Sequence, residues 1–129
     1  MADKLVLIVE DNDKNLELVQ DILEFRGFRT LAASNGRDAV ELARIHQPDL
    51  VLMDIQLPGL DGVRALRQLR SDASTTAIPV VALTAFAMTE DRGRLLEAGF
   101  DGYLAKPIDV RTLPETVLAY CRKSNGSEP

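Results

Sequence analysis

The chain has 129 residues, of which 46% are apolar and 27% are charged, with a formal net charge of -5 and a pI near 4.8. This composition is typical of one soluble globular domain, and the acidic balance without a long basic run argues against nucleic acid or an anionic membrane as the main partner. No apolar run approaches the roughly 20 residues of a membrane helix, and no signal-peptide pattern is present. The single cysteine, Cys121, cannot form an internal disulfide, which suits a reducing compartment. We therefore expect a cytoplasmic protein.

Five short apolar or β-branched runs recur along the chain and predict five β-strands. Three of them are apolar without alternation, as expected for strands that are covered on both faces of a sheet. The predicted strands are Leu5–Val9, Thr30–Ala33, Leu50–Met53, Val80–Leu83 and Tyr103–Ala105.

Helical patterns follow each predicted strand. In the first, apolar residues recur at helical spacing between Leu16 and Leu23, with Asp13 as the predicted N-cap and Gly27 just past the end. The last begins near Thr112–Glu115, a segment with the spacing of a capping box.

Strand and helix thus alternate five times, which predicts a doubly wound parallel sheet with helices on both faces and right-handed crossovers. We expect this domain to span residues 1–122, followed by a short polar tail at residues 123–129.

Polar side chains end four of the five predicted strands. Glu10 and Asp11 follow the first strand, Asp54 the third, Thr84 the fourth and Lys106 the fifth. Because ligands of a doubly wound sheet bind beyond the carboxyl ends of its strands, these side chains are predicted to lie close together.

Three carboxylates repel one another unless a cation lies between them, and oxygen ligands favour a hard ion such as Mg²⁺ over zinc. A carboxylate nucleophile with a metal and a lysine indicates phosphoryl transfer, in which Asp54 becomes an acyl phosphate.

Four sequence motifs resemble the receiver domain of two-component response regulators. They are IVEDN (8–12), LMDIQLPGLDG (52–62), ALTAF (82–86) and YLAKPI (103–108). They occur in the family's order over the chain from Lys4 to about Arg122, and the most similar group is the single-domain DivK-type regulators. The resemblance implies a flavodoxin-like (βα)5 fold whose five parallel strands have the order 2-1-3-4-5.

The resemblance also implies a role for each residue of the predicted site. Asp54 would accept a phosphoryl group from a phosphohistidine, and Lys106 would bind the phosphoryl oxygens. Mg²⁺, with Mn²⁺ as an alternative, would be bound by Asp11, Asp54 and the backbone carbonyl of Gln56, and by Glu10 through a water molecule.

Two further residues are implied to switch on phosphorylation. Thr84 would move inward to donate a hydrogen bond to the phosphoryl group, and Tyr103 would change its rotamer. These movements would remodel the face formed by the fourth helix, the fifth strand and the fifth helix, which a downstream protein partner would read. The peptide bond between Lys106 and Pro107 is implied to be cis.

The phosphoryl donor implied by the resemblance is a histidine kinase or a histidine phosphotransfer protein. It would dock on the start of the first helix and the loop after the fifth strand. The predicted docking residues are Asn12, Asn15, Leu16, Leu18 and Ile108.

Other functions stay open on the sequence. On the leading interpretation the chain is not an enzyme, although it assists its own Mg-dependent phosphotransfer and autodephosphorylation. A dedicated aspartyl-phosphate phosphatase would need a second acid where Gln56 lies, and a flavin-binding module would need a Ser/Thr/Gly-rich loop in place of the acidic segment Glu10–Asn12. A phosphate-independent docking module on a receiver fold is the remaining alternative.

Overall fold

In the computed structural model, which describes residues 3–55, 61–85 and 89–121, strands alternate with helices. Each predicted strand is present, and its bounds differ from the prediction by no more than one residue at either end. The elements in chain order are β1 (Leu5–Val9), α1 (Asp13–Phe25), β2 (Arg29–Ala33), α2 (Gly36–His46), β3 (Leu50–Asp54), α3 (Gly62–Ser71), β4 (Val80–Thr84), α4 (Thr89–Ala98), β5 (Gly102–Ala105) and α5 (Leu113–Tyr120).

The five strands form one parallel sheet in the order β2-β1-β3-β4-β5, which confirms the predicted doubly wound fold. Val9 at the end of β1 is aligned with Met53 of β3, and Asp54 is aligned with Leu83 of β4. The carboxyl ends of these three strands therefore meet at one edge of the sheet. The strand order reverses between β1 and β3, where a crevice forms in folds of this kind.

The alternation of side chains along the strands divides the core into two layers. Leu7 and Val51 face the layer that α2, α3 and α4 cover, whereas Ile8 and Leu52 face the layer that α1 and α5 cover. Because both faces of the sheet are buried, the central strands are apolar throughout, and a polar side chain can be placed only where a strand ends.

Two predicted details of helix capping are wrong. The N-cap of α1 is Asn12 rather than Asp13, since Oδ1 of Asn12 accepts a hydrogen bond from the backbone N–H of Asn15 at 3.0 Å. Asp13 lies in the first turn, where its charge favours the helix dipole. Thr112 precedes α5, but its backbone is already helical and its side chain makes no capping hydrogen bond; its hydroxyl lies 3.5 Å from the carbonyl oxygen of Asp109.

None of the helices in the described ranges is long and apolar enough to cross a bilayer. The boundary predicted at residue 122 and the polar tail predicted at residues 123–129 lie outside the described residues.

Candidate functional site

The predicted site residues come together at the carboxyl edge of the sheet. Asp54 is the last residue of β3 and Thr84 is the last residue of β4, and both are buried. The backbone N–H of Lys106 donates a hydrogen bond to the carbonyl oxygen of Thr84 at 2.8 Å, one residue beyond the end of β5. The ladder between β4 and β5 thereby carries Lys106 to Asp54, 52 residues away in sequence.

The ammonium group of Lys106 lies between two buried carboxylates. Its Nζ atom is 2.8 Å from Oδ2 of Asp54 and 3.1 Å from Oε1 of Glu10. The other oxygen of Glu10, Oε2, accepts a hydrogen bond from the backbone N–H of Asn12 at 3.2 Å. Both oxygens of Glu10 are therefore bound, as a buried carboxylate requires. Sequence reasoning predicted only a docking role for Asn12 and missed this contact. The Glu-Asp-Asn order after β1 was the signal that could have indicated it.

Burial and charge together set the protonation of this cluster. Burial raises the pKa of Glu10, and the negative charge of Asp54 raises it further, against the hydrogen bond from Lys106. Burial by itself would lower the pKa of Lys106, but hydrogen bonds and charges from Asp54 and Glu10 outweigh it, so the pKa of Lys106 is raised. Lys106 therefore remains protonated at neutral pH and holds a positive charge beside Asp54.

Glu10, Asp11 and Asp54 are the acids that could hold a metal ion together within the described part of the chain. One carboxylate oxygen from each lies within 4.8 Å of the other two. The donor set contains oxygen alone, which suits a hard divalent cation such as Mg²⁺. Three carboxylates face a single ammonium, so the site has an excess of negative charge that a cation would neutralise. Asp11 is exposed at the rim, whereas Glu10 is already bound to Lys106, and the set therefore fits an ion that keeps some of its water.

The start of α3 touches the end of β3 directly behind Asp54. The backbone N–H of Gly62 donates to the carbonyl oxygen of Ile55 at 3.3 Å. A Cβ atom at position 62 would lie 2.6 Å from the carbonyl oxygen of Asp54 and 2.7 Å from Cα of Ile55. Glycine is thus required for this close approach, and the contact fixes the backbone of Asp54. The Asp61-Gly62 pair after the third strand indicates a turn and packing residue from the sequence alone, and the structure shows which backbone it packs against.

Three residues of the predicted site remain to be placed: Tyr103, Pro107 and Gln56. Tyr103 is half-buried and packs against the core layer under α2, α3 and α4. The peptide bond between Lys106 and Pro107 is cis. Gln56, for which a metal contact is predicted, lies outside the described residues.

Three of the predicted docking residues, Asn15, Leu18 and Ile108, line a groove between α1 and the loop that follows β5. Asn12, Asn15 and Leu18 are exposed, whereas Leu16 and Ile108 are half-buried against the core layer under α1 and α5. The groove has a volume of about 110 Å³ and reaches the glutamate and the lysine of the site. A partner bound here would therefore lie next to the acidic cluster.

A cluster of acids and a lysine at the carboxyl edge of a sheet with this strand order is the arrangement of a receiver domain. Residues 6–118 match the response regulator receiver domain family. The chain belongs to this family.

Curated relatives include two proteins named polar-differentiation response regulator DivK. The protein from Brucella anthropi is 45% identical over 117 residues, which cover 91% of this chain and 95% of that protein. The protein from Brucella ovis is 44% identical over the same shares of the two chains. The similarity thus extends over nearly the whole length of these relatives.

Solved structures support the same assignment. The receiver domain of the sensor histidine kinase PA1611 from Pseudomonas aeruginosa PAO1 is 36% identical, with a TM-score of 0.84 over 92% of this chain and 98% of that domain. That structure contains a magnesium ion coordinated in its active site cleft. The chemotaxis protein CheY4 of Vibrio cholerae is 25% identical, with a TM-score of 0.85 over 92% of this chain and 99% of CheY4.

Proposed function

We propose that this receiver works as a stand-alone response regulator that is phosphorylated on Asp54. The observation that carries the proposal is the buried carboxylate of Asp54 at the end of β3, with the Lys106 ammonium 2.8 Å away and two further carboxylates beside it. A lone buried carboxylate would destabilise the strand end. The presence of this carboxylate beside the positive charge of Lys106 and a potential metal site supports a chemical role for Asp54.

In the proposed reaction, a carboxylate oxygen of Asp54 attacks the phosphorus atom of a phosphohistidine. An O–P bond forms and the P–N bond breaks. The imidazole of the donor leaves as a neutral ring, with the electron pair of the broken bond on the freed nitrogen and a proton on the other nitrogen. Lys106 remains protonated and binds a phosphoryl oxygen, which holds the incoming group in line with the attacking atom. Water later attacks the phosphorus, which regenerates Asp54 and releases inorganic phosphate. The chain is then a phosphoacceptor with autodephosphorylation and does not turn over a separate substrate.

Mg²⁺ is the proposed cofactor, and Mn²⁺, which also accepts oxygen ligands, would substitute for it. We assign Asp11 and Asp54 as direct ligands, and Glu10 as a ligand through water because Lys106 already occupies one of its oxygens. The backbone carbonyl of Gln56 would complete the protein ligands. Bound in this way, the ion would neutralise negative charge on the phosphoryl oxygens.

The proposed switch residues are Thr84 and Tyr103. Thr84 is the last residue of β4, and the small, exposed Ala85 that follows it would leave a phosphoryl group on Asp54 accessible to an inward movement of the Thr84 hydroxyl. The readout surface would be the face formed by α4, β5 and α5. Leu96 on α4 and Leu118 on α5 are each about half exposed, which supports binding of a protein partner there.

The proposed donor is a histidine kinase or a histidine phosphotransfer protein that docks at the groove beside α1. Exposed Leu18 and the polar side chains of Asn12 and Asn15 would contact it, so that the phosphohistidine reaches Asp54 through the open rim. The length shared with the DivK relatives supports the stand-alone role. The net charge of -5 supports a cytoplasmic protein partner rather than nucleic acid or a membrane.

Intact mass spectrometry after incubation with acetyl phosphate and Mg²⁺ tests the acceptor role. We expect wild type to gain one phosphoryl group, the gain to require the metal, and the adduct to be lost in alkali as acyl phosphates are. Asp54→Asn should show no gain, whereas Asp21→Asn, the same change at an exposed acid on α1, should behave as wild type. No gain under any condition would instead favour the phosphate-independent docking module.

A separate measurement tests the switch. Beryllofluoride with Mg²⁺ mimics the phosphoryl group, and we expect it to shift amide resonances of α4, β5 and α5 in an NMR spectrum of wild type. Thr84→Ala should still accept phosphate from acetyl phosphate but should lose most of these shifts. Equal shifts in wild type and Thr84→Ala would exclude Thr84 as the residue that couples the site to this face.

A further inference from the structure

An aromatic side chain at the end of α1 is almost fully exposed. Phe25 has 88% of its surface accessible, and it lies outside the helical stripe that Val19 and Leu23 bury in the core. Half-buried Ile22 precedes it by one turn, and exposed Val110 lies across from it on the segment before α5. An exposed aromatic side chain within an apolar surface is typical of an interaction site rather than of a solvated face.

The aromatic side chain borders a groove of about 320 Å³ between the second half of α1 and the start of α5. We define the α1–α5 patch as Ile22, Phe25, Val110 and Pro114, which line this groove. An ion pair between Arg26 and Glu115, at 3.1 Å, joins α1 to α5 at its edge. The groove is therefore present in the folded chain and does not need a ligand to form.

Two further groove residues carry opposite charges on opposite sides. Asp21 lies on α1, and Arg111 lies on the segment that leads into α5. The side chain of Arg111 is largely exposed, with a local ion pair to Asp109 at 3.3 Å. Arg26 is bound to Glu115 across the two helices and is less exposed than Arg111, whose ion pair lies within its own loop. Asp21 and Arg111 are therefore the charges that an incoming surface would meet first.

We propose that the α1–α5 patch binds the same patch on a second copy of this chain. A two-fold contact brings α1 of each copy opposite the segment before α5 of the other. In that arrangement Phe25 of each copy enters the groove of its partner, and Asp21 of each faces Arg111 of the other. The patch contains both a protruding ring and a groove, and both an acid and a base, so it is complementary to itself. Its small size indicates a weak, transient dimer.

The dimer would occupy surface next to the groove proposed for the histidine donor. Phe25 lies two helical turns along α1 from Leu18, a distance of about 10 Å along the helix axis. A second copy on the patch would therefore hinder a donor that docks across α1. The dimer would be a form in which the acceptor site is less accessible to the donor.

Sedimentation velocity over a concentration series from about 10 μM to about 1 mM tests this proposal. We expect the weight-average sedimentation coefficient of wild type to rise with concentration. Phe25→Glu should weaken dimerisation by about tenfold or more, since a central aromatic residue dominates such contacts. Leu96→Glu and Ile45→Glu are matched controls that place the same charge on exposed apolar residues of α4 and α2, and both should dimerise as wild type.

Charge reversal tests the orientation of the two copies. Asp21→Arg and Arg111→Asp should each weaken the dimer, and the double variant should recover it because the opposite charges face each other again. These positions are exposed, so the variants should fold, which a thermal melt followed by circular dichroism verifies.

A chain that stays monomeric at every concentration would overturn the proposal and leave the α1–α5 patch to a partner of another sequence. Loss of the dimer in Leu96→Glu with no change in Phe25→Glu would also overturn it and place the contact on α4. Failure of the double charge reversal to recover the dimer would overturn the two-fold pairing of Asp21 with Arg111.

Discussion

Replacing Gly62 by alanine tests whether the contact between α3 and the end of β3 holds Asp54 in place. The added Cβ atom would lie 2.6 Å from the carbonyl oxygen of Asp54, whereas ordinary van der Waals contact begins at 3.4 Å. The start of α3 must therefore move away by about 0.8 Å, the difference between these two distances. This movement also stretches the hydrogen bond from the Gly62 N–H to Ile55, which is already 3.3 Å long.

We expect Gly62→Ala to lower the free energy of unfolding by about 1–2 kcal/mol. Overpacking of this kind typically costs about 1–3 kcal/mol, and the better helix propensity of alanine offsets up to about 1 kcal/mol of that. The same displacement would shift the backbone of Asp54, so phosphorylation by acetyl phosphate should slow by about tenfold or more. Urea denaturation and the initial rate of mass gain measure the two effects.

Gly93 provides the matched control. It lies inside α4, and a Cβ atom there would have no heavy atom within 4 Å apart from its own helix and neighbours. Gly93→Ala should therefore raise the free energy of unfolding by about 0.4–1 kcal/mol and leave the phosphorylation rate at the wild-type level. A Gly62→Ala protein as stable as Gly93→Ala, or one phosphorylated as fast as wild type, would refute the role assigned to the contact.

Three further outcomes are expected. Mg²⁺ at about a hundred times its dissociation constant should raise the free energy of unfolding of wild type by about 2.7 kcal/mol, as measured by urea denaturation. The same Mg²⁺ concentration should leave the free energy of unfolding of Asp11→Asn unchanged. Equal stabilisation of both proteins would exclude Asp11 as a ligand. Burial raises the pKa of Cys121 from 9.0 to about 11, so between these values the folded state keeps a proton that the unfolded state loses, and stability falls as the pH rises. Relative to Cys121→Ala, the loss should reach at most roughly 2 kcal/mol as the pH passes about 11, since the thiol is only partly shielded from water. Identical pH profiles of the two proteins would contradict it. Gly102→Ala places a Cβ atom against the hydroxyl of Tyr120 and should cost about 1–3 kcal/mol, most of which Tyr120→Leu should recover in a double-mutant cycle.

The placement of the acids and the lysine at the ends of strands could be predicted from the sequence. Each of the acids and the lysine follows an apolar run, and the carboxyl ends of parallel strands must share one edge of the sheet. The structure brings Nζ of Lys106 within hydrogen-bond distance of both Glu10 and Asp54, as the pattern predicts. Which atoms pair with each charged group could not be predicted from the sequence. These pairs depend on the register between β4 and β5 rather than on any local spacing.

Helix caps show where local reasoning fails. Asn12 and Asp13 are both good N-cap residues by type, and spacing alone does not choose between them. The structure selects Asn12 because its backbone is extended, with a φ of -93° and a ψ of 114°, whereas Asp13 is already helical.

Polar contacts between distant segments are likewise invisible in the sequence. Asp101 has the appearance of an ordinary turn acid, yet its Oδ2 atom accepts hydrogen bonds from the backbone N–H of Val80 at 2.8 Å and from Arg70 at 2.9 Å. Arg70 also donates to the carbonyl oxygens of Ile78 and Gly99. One guanidinium group thus joins the end of α3 to the segments that precede β4 and β5.

The sequence by itself determined the alternation of strands and helices and the placement of the acids and the lysine at strand ends, because periodicity and residue type report which faces are buried and where strands end. Its four motifs indicated the family. Only the tertiary structure decided which oxygens Lys106 binds, why position 62 must be glycine and that Phe25 is exposed. These features depend on distances between separate elements, and such distances are fixed only when the helices pack on the sheet.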